Sequence, residues 1–134
     1  QPRGKGRPRF TRNGHTYTDA KTKEYEKRIH AAAWQKMREL KLKPIGKFCH
    51  LELIAFMEIP TSWSKVKQIE AEFGAIKPIT KPDLDNIIKA AKDGISGLDG
   101  IILDDKQVTS INAKKVYCHP ERGPVLYICV SWTE

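Results

Sequence analysis

Residues 48–59 read FCHLELIAFMEI, and this stretch decides what kind of fold the chain can build. Leu51, Leu53, Ala55 and Met57 alternate with His50, Glu52 and Glu58, which is the period of two of a strand. Ile54 and Phe56 make the second face apolar too, so the pattern predicts a well-covered strand, closed by Pro60. On its N-terminal side, from about Asp19 to Leu42, the residues Tyr25, Ile29, Ala32 or Ala33, Met37 and Leu40 recur at helical spacing. Pro44 and Gly46 close that helix. On the C-terminal side, TSWSKVKQIEAEFG (61–74) predicts a short helix carrying Val66, Ile69 and Phe73, with Ser62 or Ser64 as its cap and Gly74 as its stop.

Beyond the connector AIKPITKP (75–82), Ile87, Ile88, Ala91 and Ile95 share one helical face, and Gly97 and Gly100 bracket a loop. Two strands end the chain, KQVTSINAKKVY (106–117) and VLYICVSW (125–132); CHPERGP (118–124) between them suits a long hairpin turn. Leu126, Ile128, Val130 and Trp132 form the clearest alternation of all. Helices and strands in this order predict an α+β fold, a single domain over residues 1–134 with helices packed on one mixed sheet. Residues 1–18, QPRGKGRPRFTRNGHTYT, have glycines, prolines and cations without apolar period and read as a basic arm or loop.

Length agrees with one domain: 134 residues hold a real core and are too few for two comfortable ones. No window approaches the ~18 continuous apolar residues of a membrane helix, so no membrane partner is expected. No signal peptide is visible, and the sequence opens at Gln1 rather than at Met, which leaves room for an upstream piece. Cys49, Cys118 and Cys129 are odd in number and far apart, which argues against a disulfide framework and for a reducing cytoplasm. The net charge of +8 is uneven. Residues 1–47 carry 14 Lys and Arg against 4 Asp and Glu, whereas residues 48–134 carry 10 against 12. A basic third of that strength favours a polyanion as partner, since each phosphate neutralised releases condensed counterions; the plain alternative is a surface charged for solubility.

Against that background TKPDLDNIIKAAKD (80–93) concentrates acid at a helix start. One Asp would serve as cap for the free N–H groups. Asp83 and Asp85 together repel unless a cation lies between them, and Mg²⁺ commonly takes one or two carboxylates along with substrate phosphate. Further on, GLDGIILDDKQV (97–108) offers Asp104 and Asp105, read either as further ligands or as an ordinary polar turn before a strand. Lys89 lies four residues after Asp85 and projects from the same face; an i,i+4 ion pair explains it, as does an ammonium that offsets charge on a metal-bound phosphate.

The stretch KPDLDNIIKAAKDGISG, followed by ILDDKQV, resembles the RusA-like Holliday-junction resolvases, and GKGRPRFTRNG is similar to the basic segment of that family. The resemblance spans nearly the whole chain. It implies Asp83, Asp85 and Asp104 as ligands of one or two Mg²⁺ ions, with Asp105 as their neighbour, and Lys89 as the assisting lysine. It implies a homodimer that binds four-way DNA junctions and nicks two strands symmetrically, encoded by a bacterium or a phage and acting in the bacterial cytoplasm. Arg3, Lys5, Arg7, Arg9, Arg12 and Lys81 are then the expected backbone contacts, with Gly4 and Gly6 allowing close approach of the main chain. Relatives begin with a strand before the basic segment, and this sequence starts too late to contain it.

Two other readings fit the same residues. A PD-(D/E)xK nuclease would use Asp83, Asp104 and Lys106, leaving Asp85, Asn86 and Lys89 unexplained. A non-enzymatic basic DNA-binding protein would use the acids only as caps and turns. A zinc site from Cys49-His50, Cys118-His119 and Cys129 is disfavoured because strand neighbours point to opposite faces, so each pair supplies one ligand; buried free thiols are expected. Trp63 is expected to anchor its own helix rather than stack on a base.

Overall fold

The structure is a computed structural model that describes residues 9–10, 16–17, 20–97 and 99–133, with side chains from Glu24 onward. Strand β3 (Cys49–Met57) lies at the centre of a three-stranded sheet, with β4 (Val108–Tyr117) parallel to it on one side and β5 (Val125–Ser131) antiparallel on the other. The central place of β3 follows from its two apolar faces. Cys49, Leu51, Leu53, Ala55 and Met57 are buried under the helices, and the residues between them are half-buried on the opposite face.

The expected β4–β5 hairpin does not form: β3 separates the two strands, and Cys118–Pro124 crosses over its end. Alternation identifies a strand, but the choice of neighbour depends on which backbone edge is free, and β3 offers both of its edges. The Cys118 N–H donates to the Met57 carbonyl (2.8 Å), which stitches the crossover to β3. His119 Nε2 then pairs with Glu72 Oε1 at 2.7 Å and ties the crossover to the last residue of helix α2 (Lys65–Glu72).

Helix α1 (Ala20–Glu39) turns Ile29, Ala33 and Met37 inward, whereas Ala32 and Leu40 stay exposed. Helix α3 (Leu84–Ile95) buries Ile87, Ala90, Ala91, Gly94 and Ile95 and packs against both α1 and the sheet. At Gly94 α1 and α3 approach closely: a Cβ there would stand 2.6 Å from Ile29 Cγ2. Next to it His30 Nδ1 donates to the Gly94 carbonyl at 3.2 Å. Helix α2 (Lys65–Glu72) is capped by Ser64, whose hydroxyl accepts from the Lys67 N–H, and Gly74 at φ 84° stops it. Its apolar stripe faces outward: Val66, Ile69 and Phe73 are exposed, and Ala71 is its buried contact. Trp63 packs edge-on to Tyr117 of β4, with ring centroids 5.4 Å apart, and so anchors α2 to the sheet as expected.

The basic arm contains a short ladder in which β1 (Arg9–Phe10) pairs antiparallel with β2 (Thr16–Tyr17). Arg3, Lys5, Arg7 and Arg12, like the side chain of Arg9, lie outside the described residues. Cys49 and Cys118 are buried free thiols and Cys129 is a half-buried one. Among the described residues no helix is long and apolar enough to cross a membrane.

Candidate active site

The acidic pair sits where the connector turns into α3. Asp83 occupies the N-cap position with extended backbone, and its carbonyl accepts the first helical bond from the Ile87 N–H (3.1 Å). Its carboxylate makes no capping hydrogen bond, so capping does not consume its acceptor oxygens. Asp85 follows in the first helical turn and Lys89 one turn later, all three exposed. The helix dipole and free N–H groups stabilise both anions. Lys81 is exposed just ahead of them and is joined to Pro82 by a cis peptide bond. The turn is held to the sheet by Lys115 of β4, whose Nζ donates to the Thr80 carbonyl at 2.6 Å.

The second acidic segment is built differently. Ile102 forms parallel bridges to both Ile45 and Ser96, which brings the chain back against the end of α3. Asp104 then starts a 3₁₀ turn, Asp105–Gln107, that leads into β4, where the sequence predicted a strand beginning directly. The Asp104 carboxylate accepts from the Lys106 N–H (2.9 Å), and Gln107 Oε1 accepts from the Asp104 N–H (2.8 Å), a reciprocal capping box. The Lys106 N–H bond holds the Asp104 carboxyl below the usual carboxylate range, helped by a hydrogen bond with Asp105 and by the Lys106 charge.

Asp83 and Asp85 are thus neighbours at one helix end, and the 3₁₀ turn after Asp104 packs against that same helix. The three carboxylates are not drawn into one ready cluster: among the described residues no group of three or more His, Cys, Asp or Glu side chains converges to hold an ion. The donor set is nonetheless all carboxylate oxygen, the chemistry that suits a hard cation such as Mg²⁺, which fills its remaining positions with water and phosphate. Asp83, free of capping duty, fits this best, with Asp85 and Asp104 as the further candidates and Asp105 beside them. A cavity of about 470 Å³ lies elsewhere, between α1, Ile95 and β5, and is lined mainly by Tyr25, Ile29, Ala33, Ile101, Leu126 and Ile128. Its apolar walls contain no carboxylate, and it has no part in the site.

Two residues of this region escaped the sequence reading. Gln107 was legible in principle, since Asp followed three residues later by Gln is a capping-box pattern. Lys115 was not, because only the pairing of β4 beside β3 brings it to a carbonyl 35 residues away in sequence.

The family model for endodeoxyribonuclease RusA matches residues 1–126. The chain belongs to the RusA family. Both acid-bearing segments and the basic arm lie within the matched residues. RusA membership makes the chain a hydrolase of DNA phosphodiester bonds, in a family that acts on branched DNA. The chain is also similar to the uncharacterized protein YqaN of Bacillus subtilis (strain 168), with 34% identity over 137 residues that span 98% of this chain and 92% of that protein.

Proposed function

We propose that this RusA-family protein is a Mg²⁺-dependent, structure-selective endonuclease that resolves four-way DNA junctions in the bacterial cytoplasm by paired, symmetric nicks, acting as a homodimer. The observation that carries the reading is one helix, α3, which presents Asp83, Asp85 and Lys89 and meets the turn that bears Asp104, in a chain matched by the RusA model. Asp83, Asp85 and Asp104 would hold the ion, with Asp105 as the neighbouring carboxylate. Bound there, Mg²⁺ supplies Lewis acidity that lowers the pKa of an attacking water and offsets charge on the leaving oxygen. Lys89 places an ammonium beside the phosphate, where negative charge accumulates during in-line displacement. The arm residues Arg3, Lys5, Arg7, Arg9 and Arg12, with Lys81 just ahead of α3, grip the sugar-phosphate backbone and confer little sequence preference. Two-fold symmetry suits a substrate that needs two opposed cuts.

The test is a labelled synthetic four-way junction incubated with wild type and Asp85→Asn, with and without Mg²⁺. Paired nicks at opposed positions from wild type with Mg²⁺, and none from Asp85→Asn although it still shifts the junction in a gel, are expected. Indiscriminate cutting of linear duplex would replace the reading with that of a general nuclease. Binding without any Mg²⁺-stimulated cleavage would favour a non-enzymatic DNA-binding role.

A further inference from the structure

We propose that Gln107 is a positioning residue for the candidate metal ligand Asp104; this rests on the proposed Mg²⁺ site. Its carboxamide is used at both ends. Oε1 accepts from the Asp104 N–H at 2.8 Å, while Nε2 donates to the carbonyls of Ile45 (2.7 Å) and Lys47 (2.8 Å). The segment it grips is itself fixed to the core: Ile45 is buried, its N–H donates to the Ile101 carbonyl at 2.7 Å, and it bridges to the fully buried Ile102. Asp104 caps an exposed turn of three residues that holds its carboxylate through the Lys106 N–H, and on its own that turn would be free to shift as a unit relative to α3. Through Gln107 the Asp104 backbone is pinned to the segment before β3, some sixty residues away in sequence, and thereby to the framework that carries α3.

A residue that only caps a turn needs one of these bonds. The two donations from Nε2 reach outside the turn, and what they fix is the position of a carboxylate relative to Asp83 and Asp85. For an ion held by groups from two segments, that relative position sets affinity, and loss of an outer partner of this kind typically lowers metal affinity or activity 10- to 100-fold.

The experiment measures Mn²⁺ binding by electron paramagnetic resonance on the DNA-free protein. Wild type, Gln107→Met, Asp104→Asn and Ser64→Ala are compared, with melting temperature and Mg²⁺ titrations of junction cleavage run in parallel. Methionine keeps the length and packing of Gln107 and removes its three hydrogen bonds. Ser64→Ala removes a cap remote from the acids and controls for a general loss of stability. The expected result is a 10- to 100-fold weaker Mn²⁺ affinity in Gln107→Met and a matching rise in the Mg²⁺ needed for half-maximal cleavage, with metal-free junction binding within twofold of wild type; Ser64→Ala leaves both metal titrations where they were. If Gln107→Met melts lower but titrates with metal as wild type does, Gln107 is only a turn cap and the assignment is overturned. If wild type itself neither binds Mn²⁺ nor cuts, the metal site fails as a whole and the role of Gln107 falls with it.

Discussion

Asp83, Asp85 and Lys89 occupy the first two turns of one helix, and their roles separate by substitution. We predict that Lys89→Met lowers the single-turnover cleavage rate by about 100-fold or more, the scale of losing one charge-stabilising donor, while junction affinity changes little. Lys106→Met is predicted to cut at close to the wild-type rate; the reverse result would move the chemistry to the PD-(D/E)xK arrangement. Asp104 makes a pH prediction. Its carboxyl is held below the usual range, first by the Lys106 N–H, so the bond favours the folded state above the unfolded Asp pKa of about 3.9 and loses that effect as pH falls through the lower folded value. Melting temperature should therefore fall with pH across that window more steeply in wild type than in Asp104→Asn, and equal slopes would contradict it. Burial pushes the Cys49 thiol up, which keeps it in its unreactive protonated form. Under native conditions half-buried Cys129 should alkylate with iodoacetamide well before Cys49, as read by peptide mass spectrometry.

At the scale of elements, the α1–α3 contact is the sharpest constraint. Ala in place of Gly94 would raise helix propensity by about 1 kcal/mol, yet its Cβ would meet Ile29 at 2.6 Å, and overpacking of that kind costs about 1–3 kcal/mol. Ile29 is β-branched and stiff on its own helix, so the clash is relieved mainly by separating the helices. We expect Gly94→Ala to lose up to about 2 kcal/mol in urea unfolding, the balance of those two effects; a gain would show that the pair has slack. The turn before α3 depends on a different tie. Lys115→Met removes the donor to the Thr80 carbonyl and should cost about 0.5–1.5 kcal/mol, with cleavage more affected than binding because the Asp83 segment loses its link to β4. Both ties join elements distant in sequence. Neither could be read from periodicity, which reports the faces of an element and not what they meet.

For the whole molecule the governing quantity is the asymmetry of charge. If Arg7 and Arg9 each meet a phosphate, the slope of log affinity against log salt for a junction should become shallower by about 0.9 for each one replaced with Ala, without change in cleavage position. An unchanged slope would remove the arm from the interface. The homodimer is tested by sedimentation equilibrium, where twice the 15.3 kDa chain mass is expected. A monomer that still makes paired nicks would require two independent binding events at each junction.

By itself the sequence determined most of the local structure and pointed to the family. Period-two and helical patterns located β3, α1, α3 and both C-terminal strands, because burial of one face leaves its mark on neighbouring residues. The KPDLDN and ILDDKQV stretches pointed to the family that the comparison then showed. Tertiary structure alone decided that β3 separates β4 from β5, that the α2 stripe of Val66, Ile69 and Phe73 faces outward, and that Lys115 and Gln107 tie down the acid-bearing turns. The physical reason is range: a hydrophobic period is set by the residue's own element, whereas a neighbour strand or a hydrogen bond from 35 or 60 residues away exists only after the chain has closed on itself.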